Sequence, residues 1–499
     1  MKVLLFSMPD SFEHMPTVAI RMPNGGLSSI AGNVDPHHEV AIADLVLVQS
    51  KVREVVTRLV RDFKPDLVGL SVMTFQRRSA SRLVALLRAL KPDVKIVVGG
   101  YDPSLAPEAY RDMPIDFLVR GEGDLTFREL LRALERGTGF EAICGLSYRS
   151  GADQSAEWRD NATRPVHSLE GSEIRLPKRS ARVLNGYTLL GRQVDVVETS
   201  RGCTYDCSFC SIIEMRGRNF HTYSYDRVLD DIRDARDHGA RTIFLVDDNI
   251  MLNVRRFEGL CRAIIDADLN QIDYFVQAMT SSIATHGETL APLMRQAGFR
   301  YVFLGIENIL DHDLEFLRAS AKNTDRSNGR PAGNATLRAI DYLHRNGMYV
   351  VGGLIVGNPD DTRESIEANL AFARQYVDWP YIQHPTPYPR TPMAQEFRER
   401  ELITNERWEE YDGTTAVVRT KHMEASEVEF LRWKAERWMK VRHVPAALRH
   451  DPWFVISHVP QMLAHTFRGN SVRSMLGLED ERKAFQRYKQ IRERERDYV

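Results

Sequence analysis

The chain has 499 residues and a mass of 57.1 kDa, more than one hydrophobic core usually organises, so two or three domains are expected. With 43% hydrophobic and 27% charged residues it has the composition of an ordinary globular protein, and a formal net charge of -1 excludes a global pull toward nucleic acid. No apolar run approaches the ~18 residues of a membrane span, and residues 1–6 read as a first strand rather than a signal peptide. Five cysteines, three of them clustered, make no secreted disulfide framework and suit a reducing cytoplasm.

In chain order, residues 1–140 alternate short apolar strands at 3–6, 40–43, 67–72, 95–98 and 117–119 with helical periodicities at 52–63 and 79–90. That pattern predicts a doubly wound α/β domain with a mostly parallel, Rossmann-like sheet. Such sheets bind ligands beyond the C-terminal ends of their strands. Ser71 and Thr74 stand at the end of the third strand, Gly99 and Gly100 at the end of the fourth, and Gly121-Glu122-Gly123 at the end of the fifth. The glycines either let a ligand approach the backbone or simply make tight turns. His37 and His38, in an Asp-Pro-His-His-Glu turn, read as solvated turn residues rather than ligands. Periodicity fades over residues 141–190, a linker with hairpin fragments in which Cys144 reads as a small buried residue.

Residues 191–395 alternate again. Strands at 194–199, 242–246, 272–277, 301–304, 349–356 and 381–384 are separated by helices at 225–238, 255–266, 290–297, 335–346 and 362–376, the first behind a capping Ser224. Six parallel units predict a partial (β/α)6 barrel, whose chemistry gathers at the C-terminal mouth. The loop after the first of these strands reads Cys203-Thr204-Tyr205-Asp206-Cys207-Ser208-Phe209-Cys210. Three thiols so close arise by accident on the order of 10⁻⁴ per starting cysteine. Soft sulfur donors suit zinc or an iron–sulfur cluster, and the spacing alone does not choose, because His221 would complete a zinc knuckle. Cys261 reads as a buried helix residue. Residues 396–499 turn helical, with Trp433, Trp438, Trp453, Phe454 and Phe467 set among Lys and Arg. Core packing is the default reading for these aromatics, an interfacial surface the alternative. The closing mixed-charge helix requires no nucleic acid.

The cysteine loop, flanked by Ser200-Arg201-Gly202 and placed after the first strand of a βα barrel, resembles the hallmark of the radical S-adenosylmethionine (SAM) superfamily. The segments Gly69-Leu70-Ser71-Val72-Met73-Thr74, Val98-Gly99-Gly100-Tyr101-Asp102-Pro103-Ser104 and Gly121-Glu122-Gly123-Asp124 resemble the cobalamin (B12)-binding domain that precedes many of its members, the class B methyltransferase-like family. The resemblance implies a [4Fe–4S] cluster on Cys203, Cys207 and Cys210 with one iron left open for S-adenosyl-L-methionine, whose reductive cleavage yields a 5′-deoxyadenosyl radical. It implies that Phe209 flanks this site, that Asp247 and Asp248 receive an amino group, and that Gln277 faces the cofactor. Glu307, in a Gly-Ile-Glu element, is implied to accept ribose hydroxyls, and Gly353 and Gly357 to lie beside the adenine. Ser71, Thr74, Gly99 and Gly100 are implied to line the path of the cobalamin tail. The Asp-x-His-x-x-Gly signature of a lower axial histidine is absent, so any cobalt would lack a His ligand. Arg390 stands where relatives have Gly, either meeting a substrate anion or sitting in a solvated turn.

The expected function is a cobalamin-dependent radical SAM C-methyltransferase acting on an unactivated carbon of a small natural product or a lipid. The same parts serve ring closure or carbon–carbon coupling, and a non-catalytic cobalamin or iron–sulfur sensor is the alternative from another class. The expected partners are a small-molecule or lipid substrate and an electron donor such as a flavodoxin or ferredoxin. Neither nucleic acid nor a transmembrane segment is expected, and peripheral contact with a membrane is left open.

Overall fold

Near-continuous apolar runs between amphipathic helices are the pattern of parallel strands covered on both faces, and both halves of the chain follow it. The computed structural model describes residues 1–11, 19–150, 157–166, 168–169, 171, 173–323 and 335–499. In the first half, β1 (Lys2–Ser7), β2 (Glu39–Asp44), β3 (Leu67–Ser71), β4 (Lys95–Gly99) and β5 (Phe117–Val119) run parallel in the spatial order β2-β1-β3-β4-β5. Helices α1 (Gly25–Asn33) and α4 (Gly123–Arg136) bury Leu27, Ala31, Leu130 and Leu131 against Leu5 and Val97. On the other face α2 (Val52–Phe63) and α3 (Arg77–Leu90) bury Val56, Val60, Leu83 and Leu87 against Phe6, Leu70 and Val98. The strand order reverses between β1 and β3, and such a switch point opens a crevice at the strands' C-terminal ends.

Residues 141–190, expected as a linker, supply part of both sheets. Leu146–Arg149 and Trp158–Asp160 pair antiparallel beyond β5, satisfying backbone groups that this edge would otherwise leave bare. Thr188–Leu189 extends the second sheet, and Ile20–Arg21 from the first half adds a strand beyond it. His37 is exposed and pairs with Glu135 at 3.0 Å. His38 departs from the solvated reading: it is buried, its Nδ1 lies 3.0 Å from the Met1 amino group, and its ring packs 4.1 Å from that of His37. Both precede β2 and so lie at the opposite end of the parallel strands from the crevice.

In the second half β6 (Arg192–Val197), β7 (Thr242–Leu245), β8 (Asp273–Met279), β9 (Phe299–Glu307), β10 (Tyr349–Ile355) and β11 (Trp379–Gln383) pair in sequence order, all parallel. The result is an open partial barrel. Inward residues Val196, Phe244, Phe275, Tyr301 and Tyr349 form one apolar cluster. Outward residues such as Leu245, Val276, Leu304 and Val350 pack under α5 (Tyr225–Asp237), α6 (Val254–Asp266), α7 (Thr280–Gln296), α8 (Thr336–Arg345) and α9 (Arg363–Tyr376). Cys261 is fully buried on α6, whereas Cys144 is half-buried. Helix α7 starts ten residues before the predicted 290. Gly287 interrupts the sequence pattern there, yet it admits the ring of Tyr342, which a Cβ would meet at 2.5 Å.

The C-terminal helices α10 (Ala425–Arg442), α11 (Pro452–Thr466) and α12 (Glu481–Glu495) cap the barrel. Trp433 packs with Phe430, Phe485 and Tyr488, and Phe454 with Ala19 and Val455. Trp438 and Trp453 depart from the core reading, at 47% and 80% exposure. Among the described residues no helix is long and apolar enough to cross a membrane.

Candidate functional site

The loop that leaves β6 is held from both sides. Asp247 accepts from the Thr199 N–H and hydroxyl at 2.7 and 2.6 Å and from the Ser200 hydroxyl. Its burial outweighs these donors and pushes the carboxyl up to about 7. Further along, the Ser208 N–H donates to the Leu317 carbonyl at 2.9 Å, and the Met393 N–H donates to the Ser208 carbonyl at 2.9 Å. Phe209 packs into the apolar cluster of Leu314, Leu317, Met393 and Phe397, so it anchors the loop against the barrel wall.

Cys203 and Cys207 are buried and Cys210 is half-buried. His221 is held in a two-stranded pairing with Arg201, and among the described residues it joins no compact group of metal donors. Three soft donors with no fourth thiol in the loop suit a polynuclear cluster that keeps one metal open. Burial pushes the Cys207 thiol up, and the Cys210 thiol up to about 12. Lys322, in the short helix Ser320–Asn323, acts against that shift. Burial opposes its own charge, but Cys207, Glu307 and the other two thiols hold its pKa above the usual value.

Glu307 ends β9 with φ 59, where the register jumps from Gly305 to Glu307. A bulge of this kind re-aims a side chain, and here it brings the Glu307 carboxylate to 3.7 Å from the Lys322 ammonium. Burial raises the Glu307 pKa and Lys322 lowers it. The two neighbouring aspartates part company. Inward positions on β7 recur every second residue, Phe244 then Val246, and Asp248 continues that series into a cavity. Asp248 accepts from the Gly202 N–H at 2.8 Å and from Arg216 at 3.2 Å, whereas Asp247 points outward and is spent on the loop. Gln277 follows Phe275 on the inner face and is exposed.

At Gly353 a Cβ would meet the Phe303 ring at 2.7 Å, so the backbone there must stay bare. Gly357 has φ +100 and donates its N–H to Asp361 at 2.8 Å. Asp361 is buried beside Asp313, whose carboxyl burial first, and Asp361 second, push up to about 8. Arg390 sits exposed in a left-handed turn at φ 65.

The crevice of the first domain holds a cavity of about 410 Å³. Ser71, Gly99 and Gly100 line one side, and Glu198, Arg216 and Asp248 of the barrel line the other. Gly100 has φ +111, and a Cβ there would meet the Val72 carbonyl oxygen at 2.7 Å. Thr74 is not among the lining residues. It donates to Asp102 at 2.8 Å within a buried cluster completed by Arg77 and Tyr110. Among the described residues no histidine lines the cavity. Arg201 closes the junction, donating to Asp124 at 2.8 Å and to Glu198 at 2.7 Å. Glu122 lies 3.7 Å from Arg201 and 3.8 Å from Arg216. Four carboxylates against two guanidiniums leave the junction with an excess of negative charge.

Lys322, Glu198, Arg201 and Arg216 are absent from the expected set. Period-two alternation from Val194 and Val196 points to Glu198, but no local pattern marks Lys322.

Residues 15–131 match the B12 binding domain, and residues 197–373 match the Radical SAM superfamily. A protein of Pyrococcus horikoshii named uncharacterized methyltransferase PH0819 is 28% identical over 440 residues, covering 87% of this chain and 91% of its own. The anaerobic magnesium-protoporphyrin IX monomethyl ester cyclase of Rubrivivax gelatinosus is 25% identical over 442 residues, covering 85% and 75%. The solved structure of OxsB, a cobalamin-dependent S-adenosylmethionine radical enzyme with aqua-cobalamin and S-adenosylmethionine bound, shares the fold. It aligns at 17% identity with a TM-score of 0.66, over 100% of this chain and 76% of its own. Two matched domains in this order, meeting at one cavity, place the chain among the radical SAM enzymes that carry an N-terminal B12-binding domain.

Proposed function

We propose that the protein is a C-methyltransferase that uses S-adenosyl-L-methionine, a [4Fe–4S] cluster and cobalamin to methylate an unactivated carbon of a small natural product or a lipid. The observation that carries this reading is the cavity of about 410 Å³ shared by the strand ends of the first domain and the mouth of the barrel. Bound together, the three groups supply reductive cleavage of a sulfonium, hydrogen-atom abstraction and a transferable methyl.

The chain's own residues have separable tasks. Cys203, Cys207 and Cys210 would hold three irons and leave the fourth without a protein sulfur. Lys322 stands beside them to meet a carboxylate, and Asp248 and Glu198 to meet an ammonium. The excess negative charge of the junction favours cationic groups such as a sulfonium. Ser71, Gly99 and Gly100 leave room for a bulky ligand along the backbone. Asp247 positions the cysteine loop. An electron would come from a flavodoxin- or ferredoxin-type donor in the cytoplasm.

The cyclase of Rubrivivax gelatinosus supports ring closure as the second reading. Anaerobic reconstitution with iron, sulfide, cobalamin and methyl-labelled S-adenosyl-L-methionine distinguishes them. Methyl transfer predicts both 5′-deoxyadenosine and S-adenosylhomocysteine, with label passing to cobalamin. Ring closure predicts 5′-deoxyadenosine without S-adenosylhomocysteine. A protein that cleaves nothing when reduced overturns both.

A further inference from the structure

The cap has two apolar faces and covers only one of them. Helix α11 turns Phe454, Val455 and Met462 inward, where they close an apolar cavity of about 80 Å³ against Phe275, Tyr301 and Tyr349. Its other face leaves Trp453, Ile456 and Leu463 at 80, 61 and 50% exposure. The exposed series runs on through Trp438 and Val441 before the helix and Leu476 and Leu478 after it.

Charge says what covers this face. The chain has 68 Asp and Glu among 499 residues, yet residues 437–478 contain a single one, Asp451. That carboxylate is buried and takes the Tyr301 hydroxyl at 2.7 Å. The same stretch exposes Arg442, Arg449 and Arg473. Exposed Trp and aliphatic side chains beside exposed arginines suit a peripheral contact with anionic lipid. A protein interface core is also poor in Asp and Glu, so what favours lipid is the set of exposed arginines, Arg442, Arg449 and Arg473, beside the apolar face.

We propose that residues 437–478 dock this protein on an anionic lipid bilayer, with Trp453, Ile456 and Leu463 entering the acyl boundary and Arg442, Arg449 and Arg473 meeting the headgroups. Docking in this pose sets the apolar cavity of the barrel one helix diameter, about 10 Å, from the bilayer. The docking surface is independent of the methyl-transfer chemistry.

The test uses the cofactor-loaded protein and extruded vesicles, of phosphatidylcholine alone or with added phosphatidylglycerol. Co-sedimentation should be roughly tenfold or more tighter with phosphatidylglycerol, weaken with salt, and blue-shift tryptophan emission. W453E/I456E should lower binding at least tenfold, and R449E/R473E should abolish the phosphatidylglycerol preference, both with unchanged 5′-deoxyadenosine formation. Failure of the wild type to bind either vesicle, or undiminished binding by W453E/I456E, overturns the proposal. So does a dimer in light scattering that W453E/I456E converts to a monomer, since a second copy would then cover the face.

Discussion

Arg201→Met tests whether the junction between the two domains is held electrostatically. The guanidinium is 5% exposed, within 2.8 Å of Asp124 and 2.7 Å of Glu198. At an effective dielectric of 20, each such contact represents about 6 kcal/mol of attraction, most of it offset by desolvation. Removing the cation alone leaves buried carboxylates without their partner, a change that costs about 3–5 kcal/mol. Burial would raise the Asp124 carboxyl, and Arg201 is the main influence holding it below its ordinary value. The pair therefore contributes above that ordinary value, and its contribution is lost as pH falls through the depressed one. In the variant, Asp124 can escape its penalty by taking a proton, so the deficit should be larger at pH 8 than at pH 5. Urea unfolding of wild type, R201M, D124N and the double variant gives the coupling. The double variant should lose less than the sum of the single ones, because it no longer buries an unpaired Asp124. A cost below about 1 kcal/mol for R201M, or strict additivity, refutes the ion-pair account.

Lys322→Ala should weaken S-adenosyl-L-methionine binding roughly tenfold to a hundredfold, the worth of one charge-assisted hydrogen bond, while iron content stays at the wild-type level; equilibrium dialysis with labelled S-adenosyl-L-methionine reads it. Gly99→Leu should abolish cobalamin binding, followed by visible absorption, without reducing iron content. Its Cβ would lie 3.4 Å from the Val119 carbonyl oxygen, with the remaining carbons in the crevice. Asp313, raised to about 8, binds a proton in the folded protein that the unfolded chain releases near pH 4. Stability should therefore fall as pH rises from about 4 through 8, and Asp313→Asn should flatten that dependence in melting curves of the metal-free protein.

Much of this molecule was legible because the relevant signals are local. Period-two and 3.6-residue patterns mark both sheets and their helices, and Cys203, Cys207 and Cys210 owe their proximity to chain spacing. The same rule applied one step further separates Asp248 from Asp247, since adjacent residues at a strand end point to opposite faces. Where a Gly interrupts the pattern, as at Gly287, the helix start is lost, because its packing partner Tyr342 is distant in sequence.

The sequence by itself therefore determined the two-domain order, the thiol triad and the glycine-rich strand ends, all set by residues close together along the chain. Tertiary structure alone decided that Lys322 reaches the thiols and Glu307, that Thr74 turns to Asp102 instead of the crevice, and that Trp453 stays bare while Phe454 is covered. It also decided that two crevices become one cavity. Each of these depends on contacts between segments far apart in the chain, whose geometry exists only once the sheets have closed and packed.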